Sequence, residues 1–377
     1  MWWYPPPEHF GETAMRGPQN SGPEGPAGPA RSHLRWGVLG TARIAVRKVI
    51  PALQRSAHCR VEALASRSLE QARNWAEKLG IPRAYGSYEE LLADPAIDVI
   101  YNPLPNHLHV PWTARAAAAG KHVLCEKPLA CSTREAAALL GIRDRTGVYI
   151  QEAFMVRTHP QWLKVRELVT DGTLGRLVAI QGVFSYFNRD PRNVRNVPEF
   201  GGGGLLDIGC YPVNLTRFVT GREPVRVIAA ADFDPEFRVD RLVSGILDYG
   251  DRQSSFVCSM QMTANQWMEF IGEAARVTVE IPFNAPNDRP CRLFLSRGDL
   301  FGADVEVIEV PACDQYTIQG DEFARAILTR SAAPIPLEDS LRNMAVLDAL
   351  KASWDRGAWV SPGEFLVGLD RERRDAP

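Results

Sequence analysis

Short apolar runs alternate with amphipathic segments along the first half of the chain. Buried strands are predicted at 34–39, 61–65, 97–101, 122–125 and 148–152. Helices are predicted between them, with Ser87 and Ser132 as N-caps and Gly80 as a stop. This repetition of strand and helix predicts a doubly wound parallel sheet, an α/β arrangement.

After Glu152 the pattern changes to strands that alternate apolar and polar positions. Such strands are predicted at 177–186, 225–231, 241–247, 254–260, 275–281, 291–295 and 305–309. Helices are predicted at 160–170, 320–328 and 338–354. Several strands without helices between them are typical of a mostly antiparallel sheet, so we expect a second, α+β domain.

Residues 1–33 have a different composition from the rest of the chain. Pro and Gly recur there among polar residues, and no hydrophobic periodicity is present. A segment of this kind buries too little apolar surface to offset its ordering entropy, so we interpret it as a disordered tail or an arm. The predicted domains are therefore 34–156 for the parallel sheet and 157–377 for the α+β domain.

Composition narrows the classes of protein to be considered. The 377 residues are 45% apolar and 23% charged, as in ordinary globular proteins, and the net charge of −2 gives no basic surface for nucleic acid. No apolar run approaches the ~20 residues that cross a membrane. The seven cysteines are scattered without a C-x-x-C pair, which favours reduced thiols in a cytoplasm over disulfides or a metal site.

The turn after the first strand has the pattern of a dinucleotide-binding turn. Gly40-Thr41-Ala42-Arg43-Ile44-Ala45 is in register with G-x-G-x-x-G/A, and small residues there let backbone N–H groups approach a pyrophosphate. The second strand ends in Ser66 and Arg67, where an acidic side chain would bind the ribose of NAD. A hydroxyl and a guanidinium suit the 2′-phosphate of NADP. The alternative is that Arg67 is a solvated arginine of a surface loop.

Lys127, Asp207 and Tyr211 are the candidates for acid–base chemistry. Lys127 follows a predicted strand in Glu126-Lys127-Pro128, so it would project into the crevice at the carboxyl ends of the parallel strands. Asp207 and Tyr211 share one face if their segment is helical. A neighbouring ammonium favours a phenolate, so Lys127 would lower the pKa of Tyr211. The alternatives are a surface Glu–Lys pair, a helix-capping Asp207 and a packing Tyr211.

Four stretches together resemble the Gfo/Idh/MocA oxidoreductase family: 36–45 (WGVLGTARIA), 105–109 (PNHLH), 119–128 (AGKHVLCEKP) and 203–211 (GGLLDIGCY). Tyr211 stands where inositol-dehydrogenase-like members have histidine. This resembles the branch of glucose–fructose oxidoreductase, NADP-dependent xylose dehydrogenase and dimeric dihydrodiol dehydrogenase. The resemblance implies a Rossmann domain followed by an open-faced, mostly antiparallel sheet domain that mediates homo-oligomerisation as a dimer or tetramer.

The resemblance also implies a cofactor, NADP or NAD. The residues expected to bind it are Gly40, Thr41, Ala42, Arg43, Ile44, Ser66, Arg67, Asn102, Leu104, Asn106, His109, Glu126 and Lys127. Lys127 would contact the reacting hydroxyl, Tyr211 would exchange its proton, and Asp207 would position substrate or tyrosine. Candidate ligands of sugar hydroxyls just past the last parallel strand are Glu152, Arg157 and His159.

The expected function is hydride transfer between NADP and a sugar, either an aldose such as glucose or xylose or a keto-sugar. A trans-dihydrodiol or inositol dehydrogenase would use the same residues. From another class, the chain could be a cofactor-binding sensor or structural subunit without turnover, although the presence of both Lys127 and Tyr211 argues against it.

Overall fold

The first half of the chain forms a six-stranded parallel sheet in the order β3-β2-β1-β4-β5-β6. The computed structural model describes residues 32–299 and 301–367, so all but the last two residues of the predicted tail or arm lie outside the described part. The strands are β1 (Leu34–Leu39), β2 (Cys59–Ala65), β3 (Arg83–Tyr85), β4 (Val99–Asn102), β5 (His122–Cys125) and β6 (Ile150–Glu152). The predicted doubly wound sheet is confirmed. The edge strand β3 was not predicted from the sequence, because it has only three residues.

Helices connect these strands, and their ends follow from local sequence. They are α1 (Ile50–Gln54), α2 (Leu69–Leu79), α3 (Tyr88–Ala93), α4 (His109–Ala118) and α5 (Thr133–Thr146). The side chains of Ser68, Ser87 and Ser132 accept hydrogen bonds from the first turns of α2, α3 and α5. A π-helical segment, Ala45–Val49, precedes α1, and the change of helix type falls beside Pro51.

The second half forms an eight-stranded sheet in the order β14-β13-β12-β11-β7-β10-β9-β8. The strands are β7 (Leu177–Phe187), β8 (Arg226–Phe233), β9 (Asp240–Asp248), β10 (Gln253–Ser259), β11 (Gln261–Gly272), β12 (Arg276–Val279), β13 (Cys291–Ser296) and β14 (Glu306–Val310). All neighbouring pairs are antiparallel except β7 with β10, which confirms a mostly antiparallel sheet. Strand β11 was not predicted from the sequence, because its first half is mostly polar and at least partly exposed.

The longer helices after β6 are α6 (Pro160–Thr170), α7 (Cys210–Thr220), α8 (Gln315–Thr329) and α9 (Leu337–Arg356). A π-helical segment, Leu205–Gly209, leads into α7. Trp162 of α6 packs edge-on against Phe270 of the second sheet. In contrast, α8 returns to the first sheet, where the ring of Phe323 lies 6.1 Å from that of Trp36. Within the described residues, no helix is long and apolar enough to cross a membrane.

Candidate active site

A cleft of about 1600 Å³ lies between the carboxyl ends of the parallel strands and the end of β7. Residues from both sheets line it, together with the segment that follows β7. The predicted site residues that line it are Gly40, Thr41, Ala42, Arg43, Ile44, Ser66, Arg67, Leu104, Asn106, His109, Glu126, Lys127, Asp207 and Tyr211. Ligands of open α/β sheets bind at this edge, so the cleft is the candidate active site.

One end of the cleft is formed by the glycine turn after β1. Gly40 has a φ of 82°, which residues with a side chain rarely adopt, and its N–H donates to the carbonyl of Ala65 at 2.7 Å. A Cβ at this position would lie 3.1 Å from the Leu104 side chain, tighter than an ordinary contact. The turn therefore requires glycine and leaves the backbone open to the cleft, as a dinucleotide pyrophosphate needs.

Four basic side chains surround the same end of the cleft: Arg43, Arg47, Lys48 and Arg67. In the described part of the chain, no carboxylate forms an ion pair with any of them. Ser66 lies beside Arg67 and donates from its hydroxyl to the Gln71 side chain at 3.0 Å. Unpaired cations next to a hydroxyl favour a phosphate-bearing ligand at this end.

Lys127 lies at the other end of the cleft, directly beyond β5. The peptide bond between Lys127 and Pro128 is cis. The Lys127 ammonium donates to the carbonyl of Asp207 at 2.5 Å and lies 3.5 Å from its carboxylate. It also stands 4.7 Å from the centre of the Tyr211 ring. The three predicted catalytic residues are therefore neighbours, although 80 residues separate Lys127 from Asp207.

The Asp207 carboxylate is the most strongly paired group of the site. Arg195 lies 2.7 Å from one of its oxygens, and the Tyr186 hydroxyl donates to the other at 2.5 Å. Although burial opposes ionisation, the charges of Arg195 and Lys127 and the hydrogen bond from Tyr186 hold the pKa of Asp207 well below its usual range. Asp207 lies inside the π-helical segment and does not act as an N-cap.

Arg195 and Tyr186 were not predicted as site residues. Tyr186 lies at the end of a predicted strand, and that position was the one indication of a role in the site. Arg195 lies in a short 3₁₀ segment, Val194–Asn196, which is too short for a hydrophobic pattern to predict where its side chain points.

Tyr211 is enclosed in the protein interior, with 5% of its surface exposed. The rings of Phe154, Phe184 and Phe283 surround it, and its hydroxyl donates to the sulfur of Met155 at 3.7 Å. Burial raises the pKa of this phenol well above its ordinary value. The expected lowering by Lys127 is not produced by this geometry, because the ammonium lies over the ring rather than beside the hydroxyl.

The loop after β4 holds the Lys127 turn in place. The two ring nitrogens of the buried His109 lie 2.7 Å from the Pro128 carbonyl and 2.6 Å from the Leu104 carbonyl. Burial lowers the pKa of His109 to about 4. Asn102, expected to bind cofactor, does not line the cleft, because it is buried and donates to the His109 carbonyl at 3.0 Å.

The remaining predicted cofactor residues have partners inside the site. Asn106 donates to the carbonyl of Gly201 at 2.8 Å and so joins the two walls of the cleft. Glu126 accepts a hydrogen bond from the hydroxyl of Tyr101 at 2.7 Å, and burial raises its pKa. At Gly203, where φ is 112°, a Cβ would collide with the Asp240 carboxylate, so the glycine run permits close packing of this wall.

The three candidate sugar ligands lie outside the cleft. Glu152 is fully buried and accepts a hydrogen bond from the backbone of Leu129 at 2.8 Å. Arg157 is 2.7 Å from the Asp339 carboxylate on α9, and His159 caps α6. Each side chain is directed into the packing between elements, so the structure gives none of them access to a substrate in the cleft.

No group of three or more His, Cys, Asp or Glu side chains in residues 32–299 and 301–367 is arranged to hold a metal ion. The seven cysteines are all free thiols.

The glycine turn at Gly40, together with Lys127, Asp207 and Tyr211 in the same cleft, is typical of a dinucleotide-binding oxidoreductase built from two sheets. Residues 34–154 match the model of an oxidoreductase family with an NAD-binding Rossmann fold, and residues 162–278 match the GFO/IDH/MocA C-terminal domain. The chain belongs to the Gfo/Idh/MocA oxidoreductase family, as the resemblance predicted.

Known proteins with similar sequences or structures include dehydrogenases and a ketoreductase. An uncharacterized oxidoreductase, ORF334, of Rhizobium meliloti is 47% identical over 86% of this chain and 98% of its own. The D-xylose 1-dehydrogenase (NADP(+)) 2 of Haloferax volcanii is 37% identical over 87% of this chain and 99% of its own. The structure of the 3-ketoreductase KijD10 of Actinomadura kijaniata was solved with NADP and TDP-benzene. It matches this structure with a TM-score of 0.80 and 30% sequence identity, over 85% of this chain and 98% of its own.

Replacing Asp207 with Asn should lower the free energy of unfolding by about 3 kcal/mol at neutral pH, because it leaves the Lys127 charge without its buried partner. The folded-state pKa of Asp207 lies below the unfolded value of ~3.9, so its contribution is complete at neutral pH and is lost as the pH falls below about 4. Urea unfolding at pH 7 and pH 3 measures both effects.

The matched control is Asp190→Asn, which removes a carboxylate paired with the exposed Arg192 in the same wall of the cleft. An exposed pair contributes far less to stability than a buried one, because water and salt screen it. Equal losses in the two variants would contradict the importance assigned to Asp207.

Proposed function

We propose that this chain is an NADP-dependent oxidoreductase that interconverts a hydroxyl and a carbonyl group on a neutral sugar. The observation that carries the proposal is the Lys127 ammonium, held against Asp207 and Tyr211 in the same cleft as the Gly40 turn. When bound, the nicotinamide supplies or accepts the hydride. The protein's own residues bind and orient the cofactor and the substrate, and they exchange the proton of the reacting hydroxyl.

The basic end of the cleft supports NADP as the cofactor. Arg67 and Ser66 follow β2, where the adenosine ribose of a Rossmann cofactor lies, and Arg43 faces them from the glycine turn. These two guanidinium groups and one hydroxyl have no competing carboxylate among the residues that the structure describes, which favours a 2′-phosphate over a plain ribose hydroxyl. The names of the xylose dehydrogenase and KijD10 relatives, which specify NADP, support the same choice.

Lys127 is the group best placed to hold the reacting oxygen. Its ammonium borders the cleft, and Asp207 fixes its direction through two oxygens. Tyr211 keeps its proton at neutral pH, because burial raises its pKa. It is therefore suited to donate a proton during carbonyl reduction, whereas sugar oxidation would require the phenol first to gain access to a base.

The wall opposite the Rossmann sheet supports a neutral, polyhydroxylated substrate. Three apolar side chains there remain well exposed beside the cleft: Phe187, Val194 and Phe200. Amide side chains stand among them: Asn188, Asn193, Asn265, Gln266 and Asn284. Amides both donate and accept hydrogen bonds, and apolar faces match the C–H faces of a sugar ring, so the wall has the chemistry of a sugar site.

A nucleotide-sugar ketoreductase is the second candidate, favoured by the structural likeness to KijD10. A diphosphate needs cations that are free to pair with it. The two arginines in the substrate wall are already paired, Arg192 with Asp190 and Arg195 with Asp207. This compensation of charge favours the neutral sugar.

The proposal is tested by NADP reduction with a panel of aldoses, inositols and dihydrodiols, and by NADPH oxidation with nucleotide keto-sugars. The best substrate should be a neutral sugar. Replacing Lys127 with Ala should lower kcat by about 10²- to 10³-fold, the usual loss when one donor to the reacting oxygen is removed. Its affinity for NADPH, followed by fluorescence titration, should stay nearly unchanged.

Lys164→Ala on the surface of α6 is the control, and it should keep wild-type turnover. Retained turnover in Lys127→Ala would refute the role of Lys127. NADPH bound tightly with no turnover on any substrate would instead support a sensor or structural subunit.

Arg67→Ala should weaken NADPH binding by about 10- to 100-fold and NADH binding very little, because one charge-assisted bond to a phosphate contributes about 1.5 to 3 kcal/mol. Fluorescence titration with both cofactors measures the difference. Arg73→Ala, on the exposed face of α2, should change neither affinity. An equal loss for NADPH and NADH would remove the argument for NADP.

We further propose that the second sheet joins two copies of the chain. A groove of about 500 Å³ on its outer face is lined by half-exposed apolar residues, including Val183, Ile228, Ile246 and Trp267. A continuous apolar face of this kind is typical of an interface between subunits. Ile246→Asp should reduce the sedimentation coefficient of an oligomeric wild type, whereas Leu163→Asp on α6 should not. A monomeric wild type would contradict this.

A further inference from the structure

Glu152 lies at the end of β6 and contacts the turn that carries Lys127. The carboxylate accepts a hydrogen bond from the N–H of Leu129 at 2.8 Å, and both residues are fully buried. Leu129 comes two residues after Lys127. The next backbone contact, from the N–H of Ala153 to the carbonyl of Cys125 at 2.7 Å, fixes β6 to the strand from which the turn begins.

The turn has a second attachment, through the ring of His109. His109 lies 2.7 Å from the Pro128 carbonyl and 2.6 Å from the Leu104 carbonyl, both of which are acceptors. Burial keeps His109 neutral by lowering its pKa to about 4, and a neutral imidazole donates only one hydrogen bond. It therefore cannot donate to both carbonyls at once, and Glu152 is the side chain that holds the Leu129 N–H.

The surroundings of Glu152 consist of groups from four elements. Asp339 faces it from α9, Arg157 from the segment after β6, and the thiols of Cys125 and Cys210 from β5 and α7. The hydroxyl of Ser340 on α9 also interacts with the carboxylate and opposes the effect of burial on its pKa. Burial raises the pKa of Glu152 to about 7. The carboxyl is thus held in the interior by its bond to the turn.

We infer that Glu152 is a positioning residue that fixes the Lys127 ammonium in its reactive place by anchoring the backbone of Leu129. The inference rests on the proposed role of Lys127. Glu152 itself touches no substrate, since it lies outside the cleft. A shift of about 1 Å in a positioned group lowers turnover by about 10²-fold, so loss of the anchor acts on kcat rather than on cofactor affinity.

Two substitutions separate anchoring from charge. Glu152→Gln keeps an oxygen that accepts from Leu129 and should retain kcat within about threefold, whereas Glu152→Ala removes the acceptor and should lower kcat by about 10²-fold. NADPH affinity should be unchanged in both. Hydrogen exchange of the Leu129 amide should be faster in Glu152→Ala and close to wild type in Glu152→Gln.

Asp339→Asn is the control for general destabilisation. It weakens the pairs with Arg157 and Arg217 in the same buried region and does not touch the turn. Its melting temperature should fall while its kcat stays at the wild-type value. A loss of kcat in Asp339→Asn as large as that in Glu152→Ala would overturn the inference.

Stability against pH gives an independent readout. The folded-state pKa of about 7 lies above the unfolded value of ~4.3, so the folded chain binds more protons between these pH values. The contribution of Glu152 to stability therefore falls as the pH rises from about 4 to 7. The pKa of Asp339 is lowered, so it titrates below this window. The urea midpoint should fall less from pH 5 to pH 8 in Glu152→Gln than in wild type.

Wild-type kcat in Glu152→Ala, or equal loss of kcat in Glu152→Gln and Glu152→Ala, would overturn the positioning role. Unchanged exchange at Leu129 in Glu152→Ala would overturn the anchor itself. If the wild type turns over no substrate, the proposed function fails, while the exchange and pH measurements still decide whether Glu152 holds the turn.

Discussion

The burial of one carboxylate is the constraint on which the cleft depends. Asp207 is removed from most of the solvent, and a buried charge is stable only where cations and hydrogen-bond donors replace water. The donors come from three elements that are distant in sequence: Lys127 beyond β5, Tyr186 near the end of β7, and Arg195. Because these elements belong to different walls, the need to pair the Asp207 charge fixes the distance between the two sheets at Lys127.

The two ends of the cleft differ in charge, and this difference separates two recognition tasks. At the Gly40 end, basic side chains that form no ion pair with a carboxylate of the described residues produce a positive potential that attracts an anionic cofactor. At the other end, Arg192 and Arg195 are neutralised by aspartates. Recognition there depends on shape and hydrogen bonding rather than on net charge. A cleft with this gradient binds the cofactor by electrostatics and discriminates among substrates by fit.

The sequence was sufficient to predict what depends on local pattern. All of the parallel strands except β3, the Gly40 turn and the position of Lys127 at a strand end follow from periodicity and turn chemistry. β11 was missed because its polar first half lacks the alternation that marks a strand. Arg195 was missed because an irregular segment gives no direction to its side chains. The burial of Tyr211 and Glu152 depends on packing between distant elements, which no single stretch of sequence encodes.

The return of α8 to the first sheet has a consequence for biosynthesis. Phe323 covers Trp36, and Gly320 lies against Leu53 so closely that a Cβ there would collide with it. The outer face of the parallel sheet around β1 therefore stays uncovered until the chain beyond Thr329 has left the ribosome. The nucleotide-binding half is synthesised first, but its apolar face is covered last. During translation this face is available to chaperones until the C-terminal helices have been synthesised.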